Sequence, residues 1–198
     1  MEESVSRVEA KHLVEEPQVT LLHKHVTPLL AADPHGPRYE VKSLYHDTPG
    51  RDCFHAAEEN YPERFKIRSR QYNGKGDTFH ELKARKGPLS LKRDLSPDEY
   101  QQAVKAFDLR PTVEVKYDRE AYEDEVNGEP FRMTIDRGVR SREYGKKGWV
   151  DVFPSGTVVV ELKTKNEENR FAHRIVNVAG LDRVQLSKFV ASLRRLNG

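Results

Sequence analysis

The stretch Arg64-Phe65-Lys66-Ile67-Arg68-Ser69-Arg70 constrains the fold of this chain more than any other. Side chains of a strand alternate between its two faces, so Arg64, Lys66, Arg68 and Arg70 share one face, about 6–7 Å apart along the strand. A helix would scatter them. The alternation recurs in Phe79-His80-Glu81-Leu82-Lys83-Ala84-Arg85, where Glu81, Lys83 and Arg85 share a face. It returns in Val158–Lys165, where Glu161, Lys163 and Lys165 oppose Val158, Val160 and Leu162. Glu9 and Lys11 oppose Val8 near the N-terminus, and Arg132, Thr134 and Asp136 oppose Met133 and Ile135. Several strands therefore carry charge on one side and apolar groups on the other.

Like charges facing one another across strands are destabilising. Such a face is either wet or wrapped around an anion. Residues 64–93 hold ten Lys/Arg against Asp77 and Glu81, while the chain as a whole is only +2. A basic middle in a mildly acidic remainder points to an anionic ligand rather than to general basicity. Arg forks suit phosphate oxygens.

β-branched and alternating segments predict strands over 7–14, 39–48, 63–73, 77–86, 88–94, 112–125, 130–142 and 156–165. Asn73-Gly74-Lys75-Gly76, Gly87-Pro88, Asn127-Gly128-Glu129-Pro130 and Pro154-Ser155-Gly156 read as turns between them. Helices are expected over 17–33, kinked or ended by Pro28, over 51–60, and in the C-terminal segment LSKFVASLRRL. A fourth starts at Ser96-Pro97-Asp98-Glu99, with Ser96 as cap and Glu99 completing a capping box, and runs to about Phe107. The expected fold is α+β, mainly β. It is an eight-stranded antiparallel β-tunnel, or closed barrel, with flanking helices, in a single domain over 1–198. A flat open sheet of this size would expose long edges.

The other features are bland. With Cys53 as the only cysteine, no internal disulfide or Cys-rich zinc site can form, and Cys53 is expected to be packed. No stretch approaches the roughly 18–20 apolar residues of a membrane helix, and MEESVSRVEAKH lacks the apolar region of a signal peptide. The expected location is cytoplasmic, at a membrane only through a partner. The eight histidines show no tight metal spacing, and His23 and His25 are placed on a solvated helix face. The P-loop pattern is absent.

A family resemblance rests on the order of short motifs: Glu9-x-Lys11, Ser43-Leu44-Tyr45-His46-Asp47-Thr48-Pro49, Lys66–Arg70, Glu81-Leu82-Lys83 and Lys92-Arg93. Lys116–Tyr122, Arg132–Arg137, Glu161-Leu162-Lys163 and Ser187-Lys188-Phe189 follow. This order resembles the VTC domain, the polyphosphate polymerase domain of the vacuolar transporter chaperone, within the triphosphate tunnel metalloenzyme (CYTH-like) superfamily. The resemblance implies transfer of the ATP γ-phosphate to a polyphosphate chain. It makes Arg68, Arg70, Lys83, Arg119 and Arg132 the catalytic phosphate ligands. Lys11, Lys66, Lys92, Lys163 and Lys188 would bind substrate or polymer, with Lys188 closing over the tunnel mouth or touching the polymer. Glu161 would hold Mn²⁺ or Mg²⁺, and Glu9 and Glu81 would add to the metal shell or orient the bases. ATP, triphosphate and polyphosphate are the implied partners, a separate membrane protein would receive the product, and no DNA is expected.

Arg7 stands where the hydrolytic and cyclase branches carry the first glutamate of Glu-x-Glu-x-Lys. That resembles the polymerase branch and removes a metal ligand. Two other classes remain open: a triphosphatase acting on inorganic or nucleoside triphosphate, and a non-catalytic module binding polyphosphate, inositol phosphates or RNA. Phe79 shares the Glu81/Lys83 face, which suits base stacking.

Overall fold

Asn73 and Gly74 both adopt left-handed backbone (φ 53° and 60°), which a two-residue hairpin turn between right-twisted strands requires. Asn127 and Gly128 (φ 55° and 76°) do the same at a later hairpin. These turns set the register of an antiparallel sheet that organises the molecule. The computed structural model describes residues 8–87 and 89–198. Arg7 and Pro88, and with them the start of the expected 7–14 strand, the Arg7 substitution and half of the Gly87-Pro88 turn, lie outside the described residues.

In chain order the elements are β1 (Val8–Val14), α1 (Glu16–His25), β2 (Tyr39–Asp47), α2 (Asp52–Glu58), β3 (Glu63–Tyr72), β4 (Lys75–Lys86) and β5 (Leu89–Leu95). There follow α3 (Pro97–Ala106), β6 (Arg110–Val126), β7 (Glu129–Glu143), β8 (Val150–Asp151), β9 (Val158–Thr164), α4 (Arg170–Ala179) and α5 (Lys188–Asn197). The sheet order is β1-β9-β7-β6-β2-β3-β4-β5, all antiparallel, with the short β8 added to β7. The mainly β architecture with flanking helices is as expected. Closure is different: β1 and β5 end the ladder, and no backbone pairing joins them among the described residues. The sheet curls into a half-barrel rather than a closed one.

Alternation assigns the two faces. On the convex face Phe131, Met133 and Ile135 of β7, Val158, Val160 and Leu162 of β9 and Val14 of β1 are buried under Val19 and Leu22 of α1 and Ile175 and Ala179 of α4. Truncating any of the larger ones to Ala would cost about 2–5 kcal/mol. α4 was not expected. Its signals are an Asn169 cap, whose side chain accepts from the Ala172 N–H, and the left-handed Gly180 (φ 58°) at its end. Elsewhere on that face α3 lays Tyr100 and Val104 over Ile67 and Leu82. Its Ser96–Glu99 capping box is formed as expected. The helix expected over 17–33 stops at His25, and Pro28 falls in a 3₁₀ turn over Thr27–Leu29.

The concave face is divided. Toward one end α5 fills it, with Phe189 stacked on Tyr45 (ring centroids 5.1 Å) and packed with Leu193 among Val113, Val115, Val139 and Val159. α2 lies beside α5 through Phe54, which meets Phe189 edge to face. Buried Asp47 accepts from the N–H groups of Thr48, Cys53 and Phe54, which ties the start of α2 to the end of β2. This accounts for the Asp in the Ser43–Pro49 motif. Cys53 is buried, as expected, and burial followed by the Asp47 carboxylate pushes its thiol up to about 12. No described helix is long and apolar enough to cross a membrane.

Candidate phosphate-binding tunnel

The remaining concave surface carries the charges. Register pairs them across strands: Arg68 with Glu81, Lys66 with Lys83, and Lys83 with Lys92. On the other wall Arg119 faces Asp136, Arg132 faces Lys163, and Lys163 faces Glu9. The two walls meet where Lys83 Nζ of β4 bonds Glu9 Oε2 of β1 at 2.9 Å. A side-chain ion pair, not a ladder, thus spans the open seam.

Three carboxylates organise the cations. Glu81 accepts Arg68 Nε at 2.6 Å and Lys92 Nζ at 2.9 Å, with Arg70 Nη1 at 3.6 Å. Burial alone would raise its pKa, but Arg68 and Arg70 outweigh burial and hold it well below the usual carboxylate range. Arg68 also donates to the Tyr45 hydroxyl (3.1 Å), and Arg70 Nε donates to Ser43 Oγ (3.4 Å). Glu9 takes Lys83, Lys163 (3.4 Å) and Lys11 (3.8 Å). Asp136, fully buried, receives two parallel bonds from Arg119 (2.7 and 2.8 Å) and Lys188 Nζ at 2.6 Å.

Each expected site residue can now be placed. Lys11, Lys66, Arg68, Arg70, Lys83, Lys92, Arg119, Arg132, Lys163 and Lys188 all reach the concave face. Lys188 lies inside, on Asp136 and 4.8 Å over the Tyr117 ring, because α5 enters the half-barrel with its first turn leading. Lys11 Nζ donates to the Leu186 carbonyl (3.1 Å), tying β1 to the same turn. Arg132 is held by Asp33 and Glu123. Lys66 has no hydrogen-bond or ion-pair partner among the described residues. Burial, then Lys11, Arg68 and Lys83, push its ammonium down to about 7.

The expected metal ligands do not converge as a trio. Among the described residues no group of three or more His, Cys, Asp or Glu could hold a metal. Glu81 belongs to the Arg68/Arg70/Lys92 cluster. Glu161 and Glu9 are coupled instead: both bind Lys163, at 3.3 and 3.4 Å. Burial and the charge of Glu161 would raise the Glu9 pKa, but Lys163, Lys83 and Lys11 outweigh them and lower it. Burial would raise the Glu161 pKa, but Lys163, Lys11, Lys188 and Arg119 hold it well below the usual range. A permanently ionised carboxylate with a second beside it is a donor set for a hard divalent cation, provided phosphate oxygens complete the shell.

Sequence reasoning passed over Asp136 as a site residue. Its signal was present, since it shares the Arg132/Thr134 face of β7. Tyr45 and Tyr117 also line the face, Tyr45 accepting from Arg68 and the Tyr117 hydroxyl from Arg119 at 3.4 Å.

Comparison with known proteins gives the family and relatives of the same fold. The model of the VTC domain matches residues 6–98 and 90–197. No curated protein matches the sequence. Among solved structures, the PH1819 protein of Pyrococcus horikoshii OT3 is similar at 18% identity and a TM-score of 0.57, covering 96% of this chain and 99% of its own. HpAC1 of Hippeastrum, a candidate adenylyl cyclase described as having a dominant triphosphatase activity, is similar at 13% identity and a TM-score of 0.58, covering 96% of each chain. A candidate adenylate cyclase of Vibrio parahaemolyticus is similar at 15% identity and a TM-score of 0.54, covering 91% of this chain and 94% of its own. These three share the fold; the family model spans nearly the whole sequence, and the chain belongs to the VTC domain family.

Proposed function

We propose that this VTC domain binds ATP and polyphosphate along its concave face and transfers the ATP γ-phosphate to the end of a polyphosphate chain. The observation that carries the reading is one face with ten Lys and Arg side chains and fewer carboxylates to neutralise them, leaving Lys66 without an ion-pair partner among the described residues. Phosphoryl transfer needs positioning and charge neutralisation more than covalent chemistry. The attacking oxygen of a terminal phosphate is already ionised, so no general base is needed. It forms a bond to the γ-phosphorus as the bond to the β,γ-bridging oxygen breaks, and ADP leaves with that electron pair. Arg68, Arg70, Lys83 and Lys66 line the face from β3 and β4 and neutralise the transferring phosphoryl group, while Arg119 and Lys188, fixed by Asp136, hold the opposite wall.

Mn²⁺ or Mg²⁺ would be held by Glu161 with Glu9 beside it, and would supply charge neutralisation at phosphate oxygens. A cytoplasmic location, with a separate membrane protein taking up the product, belongs to the same proposal. The fold shared with HpAC1 favours a second reading, triphosphatase, in which water replaces the acceptor phosphate on the same face.

One experiment separates them. Purified protein is incubated with ATP and Mn²⁺, with and without a short polyphosphate primer, and resolved on a polyacrylamide gel beside a free-phosphate assay. A polymer ladder with ADP, lost in Glu161→Ala and in Arg68→Ala/Arg70→Ala, is expected. Free phosphate without a ladder would replace the polymerase by the triphosphatase.

A further inference from the structure

One end of the concave face is aromatic rather than charged. The ring of Tyr72 lies 4.8 Å from that of His35, 5.5 Å from Tyr39 and 5.7 Å from Phe79. His35 is also 5.6 Å from Tyr39. Tyr39 is buried and forms the floor, whereas Phe79 is 49% exposed and the His35 side chain 50% exposed. Phe79 rests on Tyr72 and, with His35, leaves aromatic surface open to solvent above that floor.

The group is built, not incidental. Asp33 is 3% exposed; its N–H bonds the Ala121 carbonyl at 2.9 Å, and its carboxylate accepts from both the His35 N–H (2.9 Å) and ring Nδ1 (2.8 Å). That fixes the His35 ring beside Tyr72. Phe79 faces Arg70 in register. Along β4, Phe79, Glu81 and Lys83 then follow on one face, so ring and lysine are about 13 Å apart. Aromatic faces at one end and cations in steps beyond them match the two ends of an extended nucleoside triphosphate, and nothing in an inorganic phosphate chain uses the rings.

We propose, resting on the phosphate-tunnel reading above, that Phe79 and His35 stack the base of a nucleoside triphosphate, with its phosphates running past Arg70 and Arg68 toward Lys83 and Lys66. The nucleoside thus sits at the Asn73-Gly74 hairpin end, and the terminal phosphate points toward the α5 end. Stacking tolerates any base, because every base has a π-face.

The test compares two probes by calorimetry: tripolyphosphate, and an ATP analogue with an imido bridge between the β- and γ-phosphates. Thermal melts verify that each variant folds. Phe79→Ala and His35→Ala should each weaken the analogue roughly tenfold and change tripolyphosphate affinity less than twofold. Phe79→Trp should restore analogue affinity. Equal losses for both probes, or no loss for the analogue, would overturn the stacking site while leaving the tunnel intact. Failure of the unsubstituted protein to bind either probe would remove both readings together.

Discussion

At the β6–β7 corner Arg119 and Lys188 converge on the buried carboxylate of Asp136, whereas across β3, β4 and β5 the lysines 66, 83 and 92 stand in one cross-strand row with no acid between them. Lys83 borrows Glu9 from the far edge of the sheet, Lys92 borrows Glu81 from the next row, and Lys66 has neither. The first arrangement is complete without a ligand and positions α5. The second is strained by its own charge and would be relieved by an anion. The same residue types on the same face thus serve as fixed framework in one place and as ligand-dependent surface in the other.

The comparison can be attacked from its stable side first. Asp136→Ala leaves two buried cations without a partner and should cost about 3–5 kcal/mol, read as a lowered urea midpoint. A loss below about 1 kcal/mol would mean that the corner is not framework. Glu81→Gln removes the charge from a cluster that a ligand can replace. It should cost about 2–3 kcal/mol, and millimolar tripolyphosphate should recover more stability in it than in Asp136→Ala. Equal recovery would erase the distinction between the corners.

Lys66→Met should have the opposite sign. The folded pKa of Lys66 is lowered to about 7 from an ordinary 10.5, so the unfolded chain binds the extra proton between those values and stability rises with pH across that window. The substitution should therefore stabilise the protein by about 1–2 kcal/mol below pH 7, an advantage that fades as pH rises through 7 toward 10.5. Affinity for tripolyphosphate should fall at the same time, which denaturation and binding titrations at pH 6 and 9 would check. Ser96→Ala, which removes the α3 cap on the convex face, should cost about 1 kcal/mol and leave binding unchanged.

Much of this was legible because alternation is a strict code. Glu81, Lys83, Arg68 and Arg70 share a face in the sequence and do so in the fold, and the Asn-Gly turns mark their hairpins. Period-two reading also places Asp136 beside Arg132, but it cannot say that Arg119 and Lys188, 17 and 52 residues away in sequence, will meet there. Closure was misjudged for a related reason. Strand number is local information, while the seam depends on how far the sheet curls and on Glu9 meeting Lys83 across 74 residues. α4 is signalled only by its Asn169 cap and a short Phe171/Ile175/Ala179 stripe, too few periodic positions to define a helix by pattern alone. The Glu9/Glu81/Glu161 set divided because Glu81, a row away, is claimed by two arginines.

The most direct test is the proton balance of phosphate binding. Tripolyphosphate is titrated by calorimetry into the protein and into Lys66→Met at pH 8, in two buffers of different ionisation heat. The account predicts that the unsubstituted protein takes up close to one proton more than the variant, because an anion beside Lys66 raises its pKa from about 7 and recharges it. Binding with identical proton balance in both proteins, or no binding at all, would contradict it.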